Sequence, residues 1–137
     1  MILDWKNLGF QYLDTQCHIK YTWKEGHWNE GELVESPRLN IHIAATALHY
    51  GQAAFEGLKA FRGCDGAVRI FRPEKNAQRM LTTARRTLMA EVPTDLFVTA
   101  IKKVVAANKE FIPPYGTGGS LYIRPLLIGS GPKIGVE

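Results

Sequence analysis

Two segments of the first third of this chain have the apolar and polar pattern of strands, and one of them shows the two-residue period of a half-buried strand. Strand-type residues dominate from Cys17 to Trp23, and a turn-forming segment with Gly26 precedes Trp28. This pattern predicts a hairpin. Apolar and polar side chains alternate again between Leu39 and Ile43, which predicts one further strand.

A second hairpin and a helix are predicted from residue 58 onward. Two strand-like segments, 58–62 and 67–71, flank the dipeptide Asp65-Gly66, which is typical of hairpin turns. Pro73 suits the first turn of a helix, and Glu74 favours the positive N-terminal end. Apolar residues then recur at helical spacing, and the predicted buried stripe is Ala77, Met80, Leu81, Ala84 and Leu88.

The last third predicts a second helix and a final strand. Thr94 is expected to cap the helix, with Asp95 in its first turn. Its predicted buried stripe is Leu96, Ala100, Val104 and Ala107. Residues 121–128 form the predicted strand. The fold class that follows is α+β, a mainly antiparallel sheet with two helices packed on one side.

Composition and charge narrow the function classes. The chain has 137 residues, of which 45% are hydrophobic and 22% charged, as in one ordinary globular domain and unlike disordered segments. The formal charge of +4 comes from scattered bases, and the densest site is only the pair Arg85 and Arg86. We therefore expect a solvated surface with one anion site, and no nucleic-acid partner.

Several other classes of site and location are disfavoured. Cys17 and Cys64 lie far apart, and no Cys or His spacing matches a metal site, so neither a disulfide framework nor a metal is expected. The four histidines fit no catalytic triad. No apolar run reaches the ~20 residues of a membrane span. The first residues lack a signal-peptide core, and a cytoplasmic location is expected.

The segment Ala47 to Phe61, ALHYGQAAFEGLKAF, has the character of binding-site backbone followed by a strand. Gly57 lacks a Cβ and lets the main chain approach a ligand closely. Tyr50 and Phe55 would supply the aromatic walls of a small apolar pocket. The alternative is that these aromatic residues belong to the core.

Arginines supply the second candidate site. The guanidinium of Arg79 could hold a phosphate through two parallel hydrogen bonds. Helical spacing does not choose between Arg79 and Arg86, because both lie off the apolar stripe of their helix. Either arginine could instead be an ordinary exposed residue.

A further cation lies in the last predicted strand. Alternation places Tyr122, Arg124 and Leu126 on one face, where the charge of the arginine needs a partner. One such partner would be an acidic residue in a salt bridge buried inside the domain.

Three motifs, in this order and spacing, resemble the branched-chain amino-acid aminotransferases. They are Phe55-Glu56-Gly57, the segment 71–80 and the segment Ser120 to Leu127. The resemblance extends from about Asn7 to Val136. It implies a fold-type IV enzyme that uses pyridoxal 5'-phosphate (PLP), works as a homodimer and binds amino-acid and 2-oxo-acid substrates.

The resemblance also implies roles for individual residues. It assigns Arg79 to the cofactor phosphate, and Tyr122 and Arg124 to the carboxylate side of the substrate. It places Phe55 and Gly57 in the apolar side-chain pocket, where Phe10 adds a wall. The residues implied to reach the partner subunit's site are Tyr50, Ile134 and Val136.

The lysine that bonds PLP lies in a second, larger domain of these enzymes, and none of the nine lysines here has a matching context. We therefore expect residues 1–137 to be the small N-terminal domain, incomplete at its C-terminal end, with the PLP and lysine domain absent. No catalytic residue is assigned, and this segment alone is expected to be inactive.

The resemblance implies that the whole enzyme moves the amino group of leucine, isoleucine or valine to 2-oxoglutarate, giving branched-chain 2-oxo acids and glutamate. D-amino-acid aminotransferase and aminodeoxychorismate lyase share the fold and are alternatives. A stand-alone small-ligand-binding or interaction module is an alternative of another class.

Overall fold

The computed structural model describes residues 3–134, in which short strands accompany two long helices. The strands are β1 His18–Lys20, β2 Trp23–Lys24, β3 His27–Trp28, β4 Glu32–Val34, β5 Ala53–Phe55, β6 Leu58–Arg62, β7 Val68–Ile70, β8 Leu121–Ile123 and β9 Leu126–Ile128. The helices are α1 Thr46–Tyr50, α2 Pro73–Arg86 and α3 Thr94–Ala107, followed by a 3-10 turn at Lys109–Phe111.

All pairings between these strands are antiparallel. Strand β1 pairs with β4, β2 with β3 and β5 with β9, while β6 lies between β7 and β8. The predicted α+β class with antiparallel sheet structure is confirmed. The strands form several small sheets, however, and not one continuous sheet.

Both predicted hairpins form where glycine-containing turns connect the strands. Between β2 and β3, Glu25 and Gly26 have φ values of 52° and 85°, which suit a two-residue turn. Between β6 and β7, the carboxylate of Asp65 accepts hydrogen bonds from the Ala67 amide and the Arg69 guanidinium. Local turn chemistry therefore determines both hairpins.

Helix α2 begins at Pro73, as predicted, and packs its buried stripe against β5. Ala77, Met80 and Ala84 are buried. Leu88 is not part of this stripe, because the helix ends at Arg86 and Leu88 has a φ of 53°. Its side chain is exposed, so the prediction that Leu88 is buried was wrong.

Helix α3 has the predicted length but buries a neighbouring face. Thr94 is its first helical residue and makes no side-chain cap, so the predicted cap is wrong. The buried residues are Phe97, Ile101 and Val105. The predicted residues Leu96, Ala100, Val104 and Ala107 are only partly buried. Apolar residues occupy both adjacent stripes, and the large Phe97 side chain is the one that enters the core.

Two strand predictions also require correction. Residues 39–43 form no strand, and Ile43 is exposed. The predicted strand 121–128 is broken at Arg124-Pro125, because proline has no amide hydrogen for a sheet ladder. The break lets β8 pair with β6 and β9 with β5.

One core joins the two long helices to the inner face of the sheets. It contains Ala54, Leu58, Ala60, Ala77, Met80, Ala84, Val92, Phe97, Ile101, Val105, Ile112, Ile123 and Leu127. The buried Asn108 ties α3 to the N-terminal segment, since its side chain bonds both the amide and the carbonyl of Cys17, at 3.1 and 3.0 Å. On the opposite face of the sheet formed by β6, β7 and β8, Phe61 and Tyr122 are exposed. No helix in this part of the chain has the length and apolar character that a membrane span requires.

Candidate functional site

The outer sheet face follows from strand alternation. In β6, Leu58 and Ala60 point into the core, so Lys59 and Phe61 point outward. The register pairs Lys59 with Tyr122 of β8, which places the tyrosine on the same outward face. The exposed side therefore collects aromatic and cationic side chains.

Arg124 is held on this face by two aromatic residues. Its Nε and Nη2 donate to the hydroxyl oxygen of Tyr122, at 3.2 and 2.9 Å. Its guanidinium lies 4.3 Å from the ring centre of Phe55, within the range of a cation–π interaction. Phe55 is brought there because its register partner is Leu126, two residues after Arg124. Arg124 is exposed and takes part in no ion pair of residues 3–134, so the structure does not support the buried salt bridge.

Two more of the predicted residues meet Tyr122. The ring of Phe10 lies edge-on to it, with 5.8 Å between centroids. A Cβ added to Gly57 would lie 2.5 Å from the Tyr122 hydroxyl oxygen and 3.2 Å from Cζ, so any larger residue here would displace the phenol. The fold thus brings together five predicted residues: Phe10, Phe55, Gly57, Tyr122 and Arg124. Phe10 and Phe55 are exposed, and together they form an open wall and not a closed pocket.

Arg79 lies beside the same turn. Its Nε and Nη2 donate to the two carboxylate oxygens of Glu56, at 2.7 and 2.6 Å. Asn76 also donates to Glu56, at 2.9 Å. The hydrogen bonds from Arg79, and then that from Asn76, lower the pKa of Glu56, while burial acts in the opposite direction. The side chain of Arg79 is 69% exposed.

The structure distinguishes Arg79 from Arg86 by their surroundings. Arg79 is hydrogen-bonded to Glu56, which lies between Phe55 and Gly57. Arg86 is exposed at the last position of α2 and joins no hydrogen bond or ion pair of the described residues. The position that the resemblance chose is thus the one beside the aromatic face.

Two of the three residues assigned to the partner subunit's site lie within the described range. Tyr50 ends α1, half exposed, with its ring 6.4 Å from that of His49. Ile134 is exposed in the segment after β9. That segment is tied back to α1, since the Gly129 carbonyl accepts from the Ala47 amide at 2.9 Å. Val136 lies outside the described residues.

The donor set suits a carboxylate. Tyr122 accepts hydrogen bonds from Arg124 through its oxygen, which leaves its own O–H free to donate. Arg124 retains both Nη1 hydrogens and one on Nη2. A carboxylate placed over Tyr122 and Arg124 would find a neutral and a charged donor beside an apolar wall.

Sequence reasoning missed Glu56 and Asn76 as members of the site. Neither has a local signal, since the partner of Glu56 lies 23 residues away in sequence. Residues 3–134 contain no group of three His, Cys, Asp or Glu side chains arranged to hold a metal ion.

No family model matches the chain. It is 55% identical over 135 residues to the branched-chain-amino-acid aminotransferase of Haemophilus influenzae, an alignment covering 98% of this chain and 39% of that protein. It is 47% identical to the enzyme of the same name from Helicobacter pylori, covering 98% and 40%. The chain therefore spans about two fifths of the length of the curated relatives it matches.

Solved structures give the same answer for the fold. The branched-chain amino acid aminotransferase from Thermobaculum terrenum, in its PLP-bound holo form, matches with a TM-score of 0.55 and 25% identity, over 69% of this chain and 29% of that one. The archaeal enzyme from Thermoproteus uzoniensis, with norvaline, has a TM-score of 0.64 at 24% identity, over 87% and 36%. The resemblance to branched-chain amino-acid aminotransferases drawn from the three motifs is thus confirmed over nearly the whole chain.

Proposed function

We propose that this chain supplies the substrate face and the phosphate-binding arginine of a PLP-dependent branched-chain amino-acid aminotransferase. The observation that carries the proposal is the group formed by Phe55, Tyr122 and Arg124, which joins an apolar wall to carboxylate donors. Leucine, isoleucine and valine are the proposed amino donors and 2-oxoglutarate the acceptor. The names of the relatives with 55% and 47% identity support this choice.

One face can serve both kinds of substrate. A branched side chain would pack on the ring of Phe55, which removes apolar surface from water. The side-chain carboxylate of 2-oxoglutarate or glutamate would accept hydrogen bonds from the Tyr122 hydroxyl and the Arg124 guanidinium. Because the arginine already lies over an aromatic ring, it need not leave the apolar wall when the charged substrate departs.

The residues also fit PLP. Two N–H groups of Arg79 bond Glu56, and its exposed outer edge retains donors from Nη1 and Nη2 for a phosphate. When bound, PLP supplies an electron sink that stabilises a carbanion on the substrate. This chain's part would be to hold the phosphate and to bind the substrate side chain, whether apolar or ending in a carboxylate.

We propose further that residues 1–137 are the small N-terminal domain and that the reactive lysine lies in a second domain. The length of the relatives supports this, since the chain matches only 39% and 40% of them. A homodimer and a cytoplasmic location belong to the same proposal. Exposed Tyr50 and Ile134 would contact the second copy, as would Val136.

The first test is the mass of the native polypeptide in its source cells, detected with an antibody against residues 3–134. A mass well above 15.3 kDa is expected. A product at 15.3 kDa would leave no room for a lysine domain and would favour a stand-alone binding module.

The second test is the amino donor used by the purified native protein. Glutamate formation from 2-oxoglutarate is expected with L-leucine, L-isoleucine and L-valine. D-alanine serves as the control donor. A preference for D-alanine would replace this proposal with a D-amino-acid aminotransferase.

A further inference from the structure

Glu56 is a buried carboxylate in the turn between β5 and β6. Of its two neighbours in sequence, Phe55 contacts the Arg124 guanidinium and Gly57 lies beside the Tyr122 hydroxyl. Glu56 is only 4% exposed. A buried charge is tolerated when it is paired and hydrogen-bonded. Glu56 accepts three side-chain hydrogen bonds, two from Arg79 and one from Asn76, all of 2.9 Å or shorter.

These bonds determine how Arg79 is presented. The guanidinium has five N–H donors in a planar fork. Glu56 occupies one edge, formed by Nε and Nη2, and thereby turns the other edge toward solvent. Without the carboxylate, this long and mostly exposed side chain would sample many rotamers. A phosphate would then have to order it on binding.

The main chain of Glu56 reaches the substrate residues as well. Its amide donates to the carbonyl of Pro125 at 3.0 Å, directly after Arg124. The side-chain amide of Asn76 also donates to the Gly57 carbonyl, at 3.3 Å. One residue, Glu56, therefore connects the helix that carries Arg79 to the strand break that carries Arg124.

We propose that Glu56 is a positioning residue for phosphate binding, which holds the outer edge of Arg79 in place for a phosphate monoester dianion. The inference rests on the proposed function, in which that dianion belongs to PLP. Asn76 acts with it by fixing the same carboxylate.

The Glu56 carboxylate could affect PLP binding in two opposite ways, through its charge and through its orientation of Arg79. A negative charge beside Arg79 repels a phosphate, so by charge alone its removal would tighten PLP binding. If orientation dominates, its removal weakens PLP binding. Glu56→Gln removes the charge, while Glu56→Asp keeps the charge and shortens the reach by one methylene. Only the orientation effect predicts that both variants bind PLP more weakly than the unmodified protein.

The experiment measures the dissociation constants of PLP and of pyridoxal, which lacks the phosphate, on the native protein freed of cofactor. We expect Glu56→Gln and Glu56→Asp to weaken PLP binding by roughly five- to fiftyfold, on the scale of a lost charged hydrogen bond. Pyridoxal binding should change less than about twofold, because the carboxylate acts only through the phosphate. The phosphorus NMR shift of bound PLP should move in both variants.

Controls keep the result interpretable. Glu91→Gln breaks a similar fork at Arg85, outside the site, and should leave PLP binding unchanged. Asn76→Ala is a milder test that keeps the fork and should weaken PLP binding by a smaller factor. If the Glu56 variants do not fold, the PLP dissociation constant of Asn76→Ala tests the proposal in their place. In an Arg79→Ala background, Glu56→Gln should cause no further loss, since it acts through the arginine.

Tighter binding in Glu56→Gln, or equal loss of PLP and pyridoxal, would overturn the proposal. Unchanged PLP binding in the Asn76 and Glu56 variants would do the same. If the unmodified protein itself does not bind PLP, the proposed function fails and not merely this inference.

Discussion

Helix α2 carries two arginines that bond a glutamate in the same way, and their surroundings differ sharply. Arg79 bonds Glu56 through Nε and Nη2 at 2.7 and 2.6 Å, and Arg85 bonds Glu91 through the same nitrogens at 2.8 and 3.0 Å. The Glu56 side chain is 4% exposed, whereas that of Glu91 is 48% exposed. Equal geometry therefore does not imply equal energetic weight.

The difference follows from what each carboxylate gives up on folding. Glu56 loses nearly all of its water, so its carboxylate depends on protein donors, chiefly the side chains of Arg79 and Asn76. Glu91 keeps water on its exposed side, and Arg85 only replaces part of that hydration. The first pair lies at the proposed cofactor site, while the second pair lies at the connection between α2 and α3.

The largest expected effect is that of Arg79→Ala on stability. It removes two of the three side-chain hydrogen bonds to Glu56 and leaves that buried carboxylate underpaired, an expected penalty of about 2 kcal/mol on the Glu56 side. Arg79 is mostly exposed, so the larger penalties for fully buried pairs do not apply. The matched variant Arg85→Ala should lower the free energy of unfolding clearly less, because both partners of that pair are exposed. Chemical denaturation of the native protein measures both, and equal losses would show that the burial of Glu56 has no energetic importance.

Gly57→Ala tests the turn that holds Glu56. The new Cβ would lie 2.5 Å from the Tyr122 hydroxyl oxygen, which forces the ring or the turn to move. A loss of about 1 kcal/mol is expected, at the lower end for overpacked sites, because the obstacle is the far end of a side chain. Adding Tyr122→Phe removes the nearest atom and should recover part of that loss. A double variant as unstable as the single one would mean that the phenol is not the obstacle.

The loss of stability at acid pH should also differ between Glu56 and Glu91. Arg79 and Asn76 hold the pKa of Glu56 below its ordinary value, so the folded state favours the carboxylate. The resulting stability is fully present above the unfolded-state pKa of about 4.3, and it is lost as pH falls through the lower folded-state pKa. Glu56→Gln should reduce this loss of stability in denaturation curves recorded from about pH 6 to about pH 2. The pKa of Glu91 is also lowered, by Arg85, but its exposure predicts a smaller effect for Glu91→Gln.

What the sequence revealed about the fold depended on how local each signal was. The Asp65-Gly66 turn and Pro73 at the start of α2 act on their immediate neighbours, and both predictions hold. The prediction of the buried face of α3 was wrong, because two adjacent stripes of the helix are apolar and only packing in the folded chain selects the one with Phe97. The strand predicted at residues 39–43 has no pairing partner in the described chain, so alternation alone did not produce it.

The site shows the same division. The resemblance assigned Phe55, Tyr122 and Arg124 to the substrate, and the pairing of β5 with β9 is what brings these residues together. The role of Glu56 was not predictable from any window, since Arg79 lies across the turn and along the helix. A buried charge and its partner are defined only once the chain has folded.

The smallest expected effect is the salt dependence of stability, which should differ between the Arg79–Glu56 pair and the Arg85–Glu91 pair. Raising ionic strength from about 0.1 M to about 1 M shortens the Debye length from about 10 Å to about 3 Å, which screens exposed pairs and hardly affects buried ones. Glu91→Gln should therefore lower the free energy of unfolding slightly at low salt and leave it unchanged at high salt. The loss in Glu56→Gln should persist at both, because the carboxylate is buried and its hydrogen bonds are direct. If salt removes the Glu56 effect as well, solvent reaches that pair, and the stability contrast between the two arginines disappears.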